Sequence, residues 1–313
     1  MKKIILILIF SAFTAGYCFA AVSVVGELSR EKTVSPGDKI EGVILLKNHE
    51  DQALQVKVYK TDYLFYADGR NIYGEPGKAA RSNANWISLR PSQLTLPAGE
   101  TSSVYYTIEV PEKADLSGTY WSMIMVESLP AKALKELRKE QDKVTMGFQT
   151  LIRYGIQIVT DIRNTGSRSI KFLDKKLVSQ DSRKFMQIDI ENTGERWLNP
   201  FVWLELYSQD GKSMGRFEAN RMRIYPGCSI RQVIDLSEVP KGRYKGLVVV
   251  DAGGQDVFGA QYDFELGYSQ KIKQETQTET KVEKPRRPSN FSAKFKSWFN
   301  QTLKKIKQFF QPS

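Results

Sequence analysis

The sequence predicts an all-β chain of two tandem antiparallel sandwiches, then a disordered linker and a C-terminal amphipathic helix. Three observations carry this. Short runs alternate apolar and polar residues, as in Ile40-Glu41-Gly42-Val43-Ile44-Leu45-Leu46, Leu54-Gln55-Val56-Lys57-Val58-Tyr59, Ser103 to Val110 and Phe185-Met186-Gln187-Ile188-Asp189-Ile190. Pro36-Gly37, Asp68-Gly69, Pro97-Ala98-Gly99, Asp210-Gly211 and Pro226-Gly227 separate the runs as turns. The order of strands and turns in the first half recurs in the second, which points to two copies of one unit.

The first twenty residues read as a secretory signal peptide. Lys2-Lys3 is followed by an apolar run over 4–10 and then by small residues up to Ala20-Ala21. The cut falls after Ala20 or Ala21, and an uncleaved N-terminal anchor is the alternative. Bulky Tyr17 speaks against a lipoprotein cut at Cys18. The mature chain is therefore expected outside the cytoplasm, in the periplasm or an equivalent space, away from ATP and a reducing thiol pool. With Cys18 removed, Cys228 stands alone in a turn after Pro226-Gly227, so no intramolecular disulfide forms and packing must supply the stability.

Residues 21–160 read as the first sandwich and 161–268 as the second. In the first half Val43-Ile44-Leu45-Leu46-Lys47-Asn48 leads through a polar turn to a second strand. In the other half Ile188-Asp189-Ile190-Glu191-Asn192 does the same. Each half then has a Pro/Gly turn, a Val-Pro pair (Val110-Pro111, Val239-Pro240) and a Gly-x-Tyr opening a strongly apolar strand, at Gly118-Thr119-Tyr120 and Gly242-Arg243-Tyr244. Repeated short strands with such punctuation suit immunoglobulin-like sandwiches. Residues 131–145 form a charged loop or short helix. Beyond it 146–159 alternates again and puts Phe148, Ile152, Tyr154, Ile156 and Ile158 on one face.

The formal charge of +11 is unevenly spread: eleven basic against three acidic residues lie from Lys271 onward, so the body is near neutral and the tail is basic. The segment 269–290, rich in Gln, Thr, Glu, Lys and Pro, reads as a disordered basic linker. In 291–313, Phe291, Phe295, Trp298, Phe299, Leu303, Ile306 and Phe310 fall on one helical stripe. Lys294, Lys304, Lys305 and Lys307 fall largely elsewhere. This is the pattern of a helix lying on an anionic membrane surface. It is also the pattern of a helix that docks in a partner's groove or on its own body. Charges are too many for a span.

Little catalytic material is present. His49, in a polar turn, is the single histidine, so zinc sites and Ser-His-Asp or Cys-His nucleophiles lack components. No Gly-rich phosphate loop follows a strand, and no carboxylate pair stands out. Asp251 to Asp256 has too few ligands for a cation loop and reads as a β-turn. The expectation is a non-enzymatic protein with no cofactor, no metal and no nucleic-acid partner.

Leu45-Leu46-Lys47-Asn48, the strand Tyr120-Trp121-Ser122-Met123-Ile124-Met125-Val126, the charged loop after it and the alternating run to Ile158 resemble the periplasmic pilus (fimbrial) assembly chaperones over about 22–266. The stretch from Trp86 through Leu96-Pro97-Ala98-Gly99 to Pro111 also looks like Gram-positive surface-protein-interacting Ig domains. The chaperone resemblance implies that Phe148, Ile152, Tyr154 and Ile156 are lent to a partner as a donor strand. It also implies that a basic pair, here Arg30 and Arg153, anchors the partner's C-terminal carboxylate. The longer segment 59–86, the linker and the tail depart from that pattern. The resulting expectation is a chaperone-like protein that binds a secreted or surface subunit through an exposed strand edge, peripheral to the membrane through its tail. A structural adaptor for a surface protein or cell-wall glycan is the alternative.

Overall fold

Alternation of buried and exposed side chains is what the described backbone realises, strand after strand. A computed structural model of the chain describes residues 21–113, 115–129 and 152–267. The predicted leader 1–20, charged loop 131–145, linker 269–290 and tail helix 291–313 lie outside the described residues. Apart from a single 3-10 turn at Ala84–Trp86, the regular elements are strands.

The first sandwich faces two sheets together. One has the order β1 (Val22–Val25), β3 (Lys39–Asn48), β8 (Thr101–Glu109) and β6 (Ile87–Arg90). The other runs β2 (Ser29–Val34), β10 (Arg153–Ile162), β9 (Gly118–Leu129), β4 (Leu54–Phe65) and β5 (Asn71–Gly74), with β7 (Gln93–Leu96) also paired to β4. The N-terminal strand thus changes sheets. It pairs antiparallel with β3, turns at Gly26 and continues as β2, parallel to β10. A φ of +96° at Gly26 is open to glycine and strained for other residues. The inner faces enclose Ile44, Leu46, Val56, Val58, Val104, Ile108, Ile124, Val126, Ile156 and Ile158.

The second sandwich pairs β11 (Ile170–Gln180), β12 (Arg183–Asn192) and β15 (Ser229–Asp235) against β14 (Ser213–Glu218), β13 (Phe201–Ser208), β16 (Gly242–Asp251) and β17 (Val257–Leu266). Met186, Ile188, Ile190, Val202, Leu204, Leu206, Val248 and Val250 fill its core.

One device is built twice. β3 ends on Asn48 and β12 on Asn192, both fully buried. The Asn48 amide donates to the carbonyls of Gln52, Leu96 and Pro97, while its side-chain oxygen accepts from Glu50 N–H. The Asn192 amide donates to Arg196 and Ile224 carbonyls, and its oxygen accepts from Gly194 N–H. Each asparagine satisfies backbone groups that leave the ladder at a strand end, and ties that end to the Pro/Gly turn. This is the physical content of the internal repeat.

The sandwiches share a core. Trp121 and Val159, on the outward face of the β2-β10-β9-β4-β5 sheet, are members of the second sandwich's core. The Trp121 ring stacks on Tyr225 at 4.9 Å between centroids and 12° between planes. Its indole N–H donates to Tyr63 O at 2.9 Å. The long segment 59–86 supports this joint. β4 continues to Phe65, which meets Tyr225 edge-on, and Ala67 N–H donates to Ser229 Oγ. The following loop wraps the buried Asp62 carboxylate, which accepts from Gly77, Lys78 and Ala79 N–H and from the Ser82 hydroxyl. Arg81 then joins Ser117 O at 2.8 Å and Glu195 at 3.0 Å.

Cys228 lies in a turn, as its place after Pro226-Gly227 suggests. Its N–H closes that turn on Tyr225 O, but its side chain points into the second core with no exposure. Burial pushes the thiol up to about 11 and removes it from reach of another chain's cysteine.

Asn48→Ala and Asn192→Ala should each destabilise the protein markedly, since every orphaned buried carbonyl costs about 1–3 kcal/mol. Equilibrium denaturation of the two variants checks this. A loss below about 1 kcal/mol in both would show that the brackets are dispensable.

Candidate functional site

Strand β10 has two different sides. Along its whole length it pairs antiparallel with β9, from Arg153↔Glu127 to Ile162↔Gly118. On the other side β2 covers only the second half, from Gln157↔Ser29 to Ile162↔Val34. The last link on that side is Gln157 N–H to Leu28 O at 2.8 Å. Among the described residues, then, the stretch from Arg153 to Ile156 has a free hydrogen-bonding edge. The sheet change of the N-terminal strand creates this gap, because β1 has crossed to the opposite sheet.

The side chains flanking the edge grade from solvent to core. Ile152 is 38% exposed, Tyr154 is half-buried against the first core, and Ile156 has no exposure at all. Phe148 lies outside the described residues. Ile156 is therefore not offered to a partner groove: it faces Ile124 across the ladder and fills the chain's own core. Alternation identified its face correctly, but the face is interior at that point. Ile152 and Tyr154 stand at the mouth of the sandwich.

The two arginines are not brought together. Arg30 pairs with Ile158, a core residue, and so projects to the inner side of the sheet. Arg153 lies five positions away on β10, which places it on the opposite face and roughly 17 Å along the strand. Arg153 binds Glu127 at 3.0 Å. Arg30 Nε is buried without a hydrogen-bond partner among the described residues. One carboxylate does not reach both guanidinium groups from these positions.

Below the free edge the outward face of the first sandwich opens into a concavity. Glu27, Leu28, Ser29, Glu31, Met123, Gly155 and Gln157 line a concavity of about 540 Å³. Gly155 leaves room for the Met123 side chain: a Cβ would come within 2.2 Å of Met123 Cε and push that flexible tip aside. Two residues of the second sandwich hold three of these lining residues. Tyr225 donates its hydroxyl to Gln157 Oε1 at 2.9 Å. Arg223 donates to Ser29 Oγ at 3.1 Å and pairs with Glu31, while its guanidinium stacks over Trp197 at 4.4 Å. Burial pushes the Tyr225 phenol up to about 12, so it stays a neutral donor to Gln157. Glu31, Gln157, Arg223 and Tyr225 are absent from the sequence-derived candidates. No local pattern marks them, because they meet across a joint between distant segments. Among the described residues no three His, Cys, Asp or Glu side chains converge as metal ligands.

No protein-family model and no curated protein matches the chain. Solved fimbrial chaperones do resemble it at a distance. The chaperone–tip adhesin complex of CFA/I fimbriae aligns at 12% identity and TM-score 0.43, over 77% of this chain and 98% of that one. The class 5 fimbriae chaperone CfaA aligns at 13% and 0.41, over the same shares. The CsuC–CsuE chaperone–tip subunit pre-assembly complex of Acinetobacter baumannii aligns at 12% and 0.39, over 79% and 98%. The distant resemblance read from the sequence is met in these structures as a likeness of fold.

The burial gradient along β10 gives a direct test. Ile156→Asp buries a carboxylate in a closed core and should cost about 3–5 kcal/mol or prevent folding. Ile152→Asp should change stability by less than about 1 kcal/mol. Denaturant midpoints of the two variants check the contrast, and equal losses would mean that the strand is buried from its start.

Proposed function

We propose that this is an exported, non-enzymatic, chaperone-like protein that holds a secreted or surface subunit, of pilus type, by strand addition at the free edge of β10. One observation carries the reading: from Arg153 to Ile156 the strand is paired on one side only, beside apolar side chains that open toward solvent. An incoming extended segment would receive main-chain hydrogen bonds from this edge, while Ile152, Tyr154 and the preceding Phe148 would pack into its apolar gap. The edge supplies affinity and the alternate side chains supply selectivity.

The groove supports the same reading. It begins where β2 ends the free edge, so a segment added along β10 runs into the concavity lined by Leu28, Met123 and Gln157. Its lining residues Glu31, Ser29 and Gln157 are held from behind by Arg223 and Tyr225.

Site-specific photo-crosslinking in the native extracytoplasmic fraction tests the proposal. A photoreactive residue at position 152 should give one-to-one adducts with small β-rich subunits. The same probe at Tyr105, exposed on the far sheet, should give none. Ile152→Asp should reduce capture at least about ten-fold, equivalent to about 1.4 kcal/mol of binding. Equal adducts from both positions would sink the strand-edge reading, and adducts with assembled surface material would favour an adaptor.

A further inference from the structure

The outward face of the β14-β13-β16-β17 sheet is apolar and buried. Alternation sends Val202, Leu204, Leu206, Val248 and Val250 into the second core. It sends Trp203, Leu247, Val249 and Val257 to the other side, where they form a separate cluster. Register makes this cluster continuous: Trp203 lies opposite Val249, Glu205 opposite Leu247, and Val257 opposite Asp251. Leu247 and Val249 have no exposure, Trp203 has 4% and Val257 has 8%.

Such burial on an outer face requires a cover, since neighbours on one sheet surface shield each other only in part. Among the described residues, the main strand contacts of β13, β16 and β17 lie within the sheet or across the sandwich. The Arg216 guanidinium, held by Glu218 at 2.8 Å, lies over the Trp203 ring at 4.1 Å.

We infer that the C-terminal segment 291–313 docks on this face of its own second sandwich, laying its aromatic stripe over Trp203, Leu247, Val249 and Val257. Four features select this occupant. The chain leaves the sandwich from β17, a strand of the same sheet. The intervening 267–290 spans up to roughly 80 Å when extended, more than enough to return. As a helix, 291–310 would be about 30 Å long, which matches the roughly 33 Å of a ten-residue strand such as β16. The face also carries Glu205, Glu218, Asp251, Asp263 and Glu265 at outward positions against Arg216, Arg243 and Lys245, so its charge complements the lysines at 294, 296, 304, 305 and 307. The apolar stripe meets the apolar cluster and the lysines reach the acidic rim.

Hydrogen exchange on the full mature chain decides the matter. It is run at two protein concentrations, with and without vesicles of phosphatidylcholine and phosphatidylglycerol. Docking predicts that amides in 291–313 exchange at least about ten-fold more slowly than in the isolated peptide, without vesicles and independently of concentration. The double variant Trp298→Ser/Phe299→Ser should abolish this protection and raise exchange in β16 and β17. Val257→Asp is the reciprocal variant, and if it unfolds the sandwich the tail variant alone decides. Three results overturn the inference: protection that appears only with vesicles, which would make the membrane the occupant; protection that rises with concentration, which would make it a second copy; and a tail variant that leaves β16 and β17 unchanged.

Discussion

The Trp121 ring belongs to two sandwiches at once, and the arrangement of the site follows from that. It projects from β9 of the first sandwich, stacks on Tyr225 of the second and anchors its indole N–H on Tyr63. Large aromatic surfaces buried in such contacts contribute a few kcal/mol each and have a preferred geometry, so they fix an angle as well as an energy. Around the stack, polar links close the joint: Arg81 to Glu195, Trp197 to Thr119 and Asp161, and Arg223 to Glu31. The half-buried ion pairs are there to satisfy buried groups and set register more than to add stability. A hinge at this position would have to break a shared core, so the groove keeps its walls.

Much of this was legible in the residues. The Asn48 and Asn192 repeat could be seen as a strand-then-Asn pattern, and the structure explains it as one hydrogen-bond bracket used twice. The face on which Ile152, Tyr154, Ile156 and Ile158 lie was legible because period-two alternation is local. Which of them meet solvent was not. That depends on where β2 begins opposite Gln157, a pairing between segments more than a hundred residues apart in sequence. The arginine pair failed for the same reason. Position along the chain does not reveal face parity across a parallel ladder, and Arg30 and Arg153 have opposite parity relative to Ile158. The polar stretch from Tyr59 to Trp86 looked like a departure from the family pattern. Its purpose shows only once Asp62 is seen gathering the loop and Phe65 reaching Tyr225.

An edge left open must be tolerated by the unbound protein. Three other edge strands carry their own protection. β11 carries Asp174-Lys175-Lys176 and a register shift between Phe172 and Asp174, which bends it away from further pairing. β5 and β6 have four residues each, too short to template a long ladder. At β10 the outward row pairs Arg153 with Glu127, and Lys57 lies opposite Glu127 on the other side. These charges guard the face without blocking the edge. The inner side chains Tyr154 and Ile152 have no such guard.

The contrast between the two sandwiches then becomes informative. The first leaves backbone groups unpaired beside a partly open core, and the second hides a complete apolar cluster on an outward sheet face. A chain that presented both to solvent would carry two aggregation-prone surfaces, and apolar patches of that kind seldom stay uncovered in soluble proteins. If the tail closes the second surface, the β10 edge is left as the place where an extended partner gains hydrogen bonds and apolar contact together. On that proposal the tail would complete the fold and the strand edge would be left for a partner.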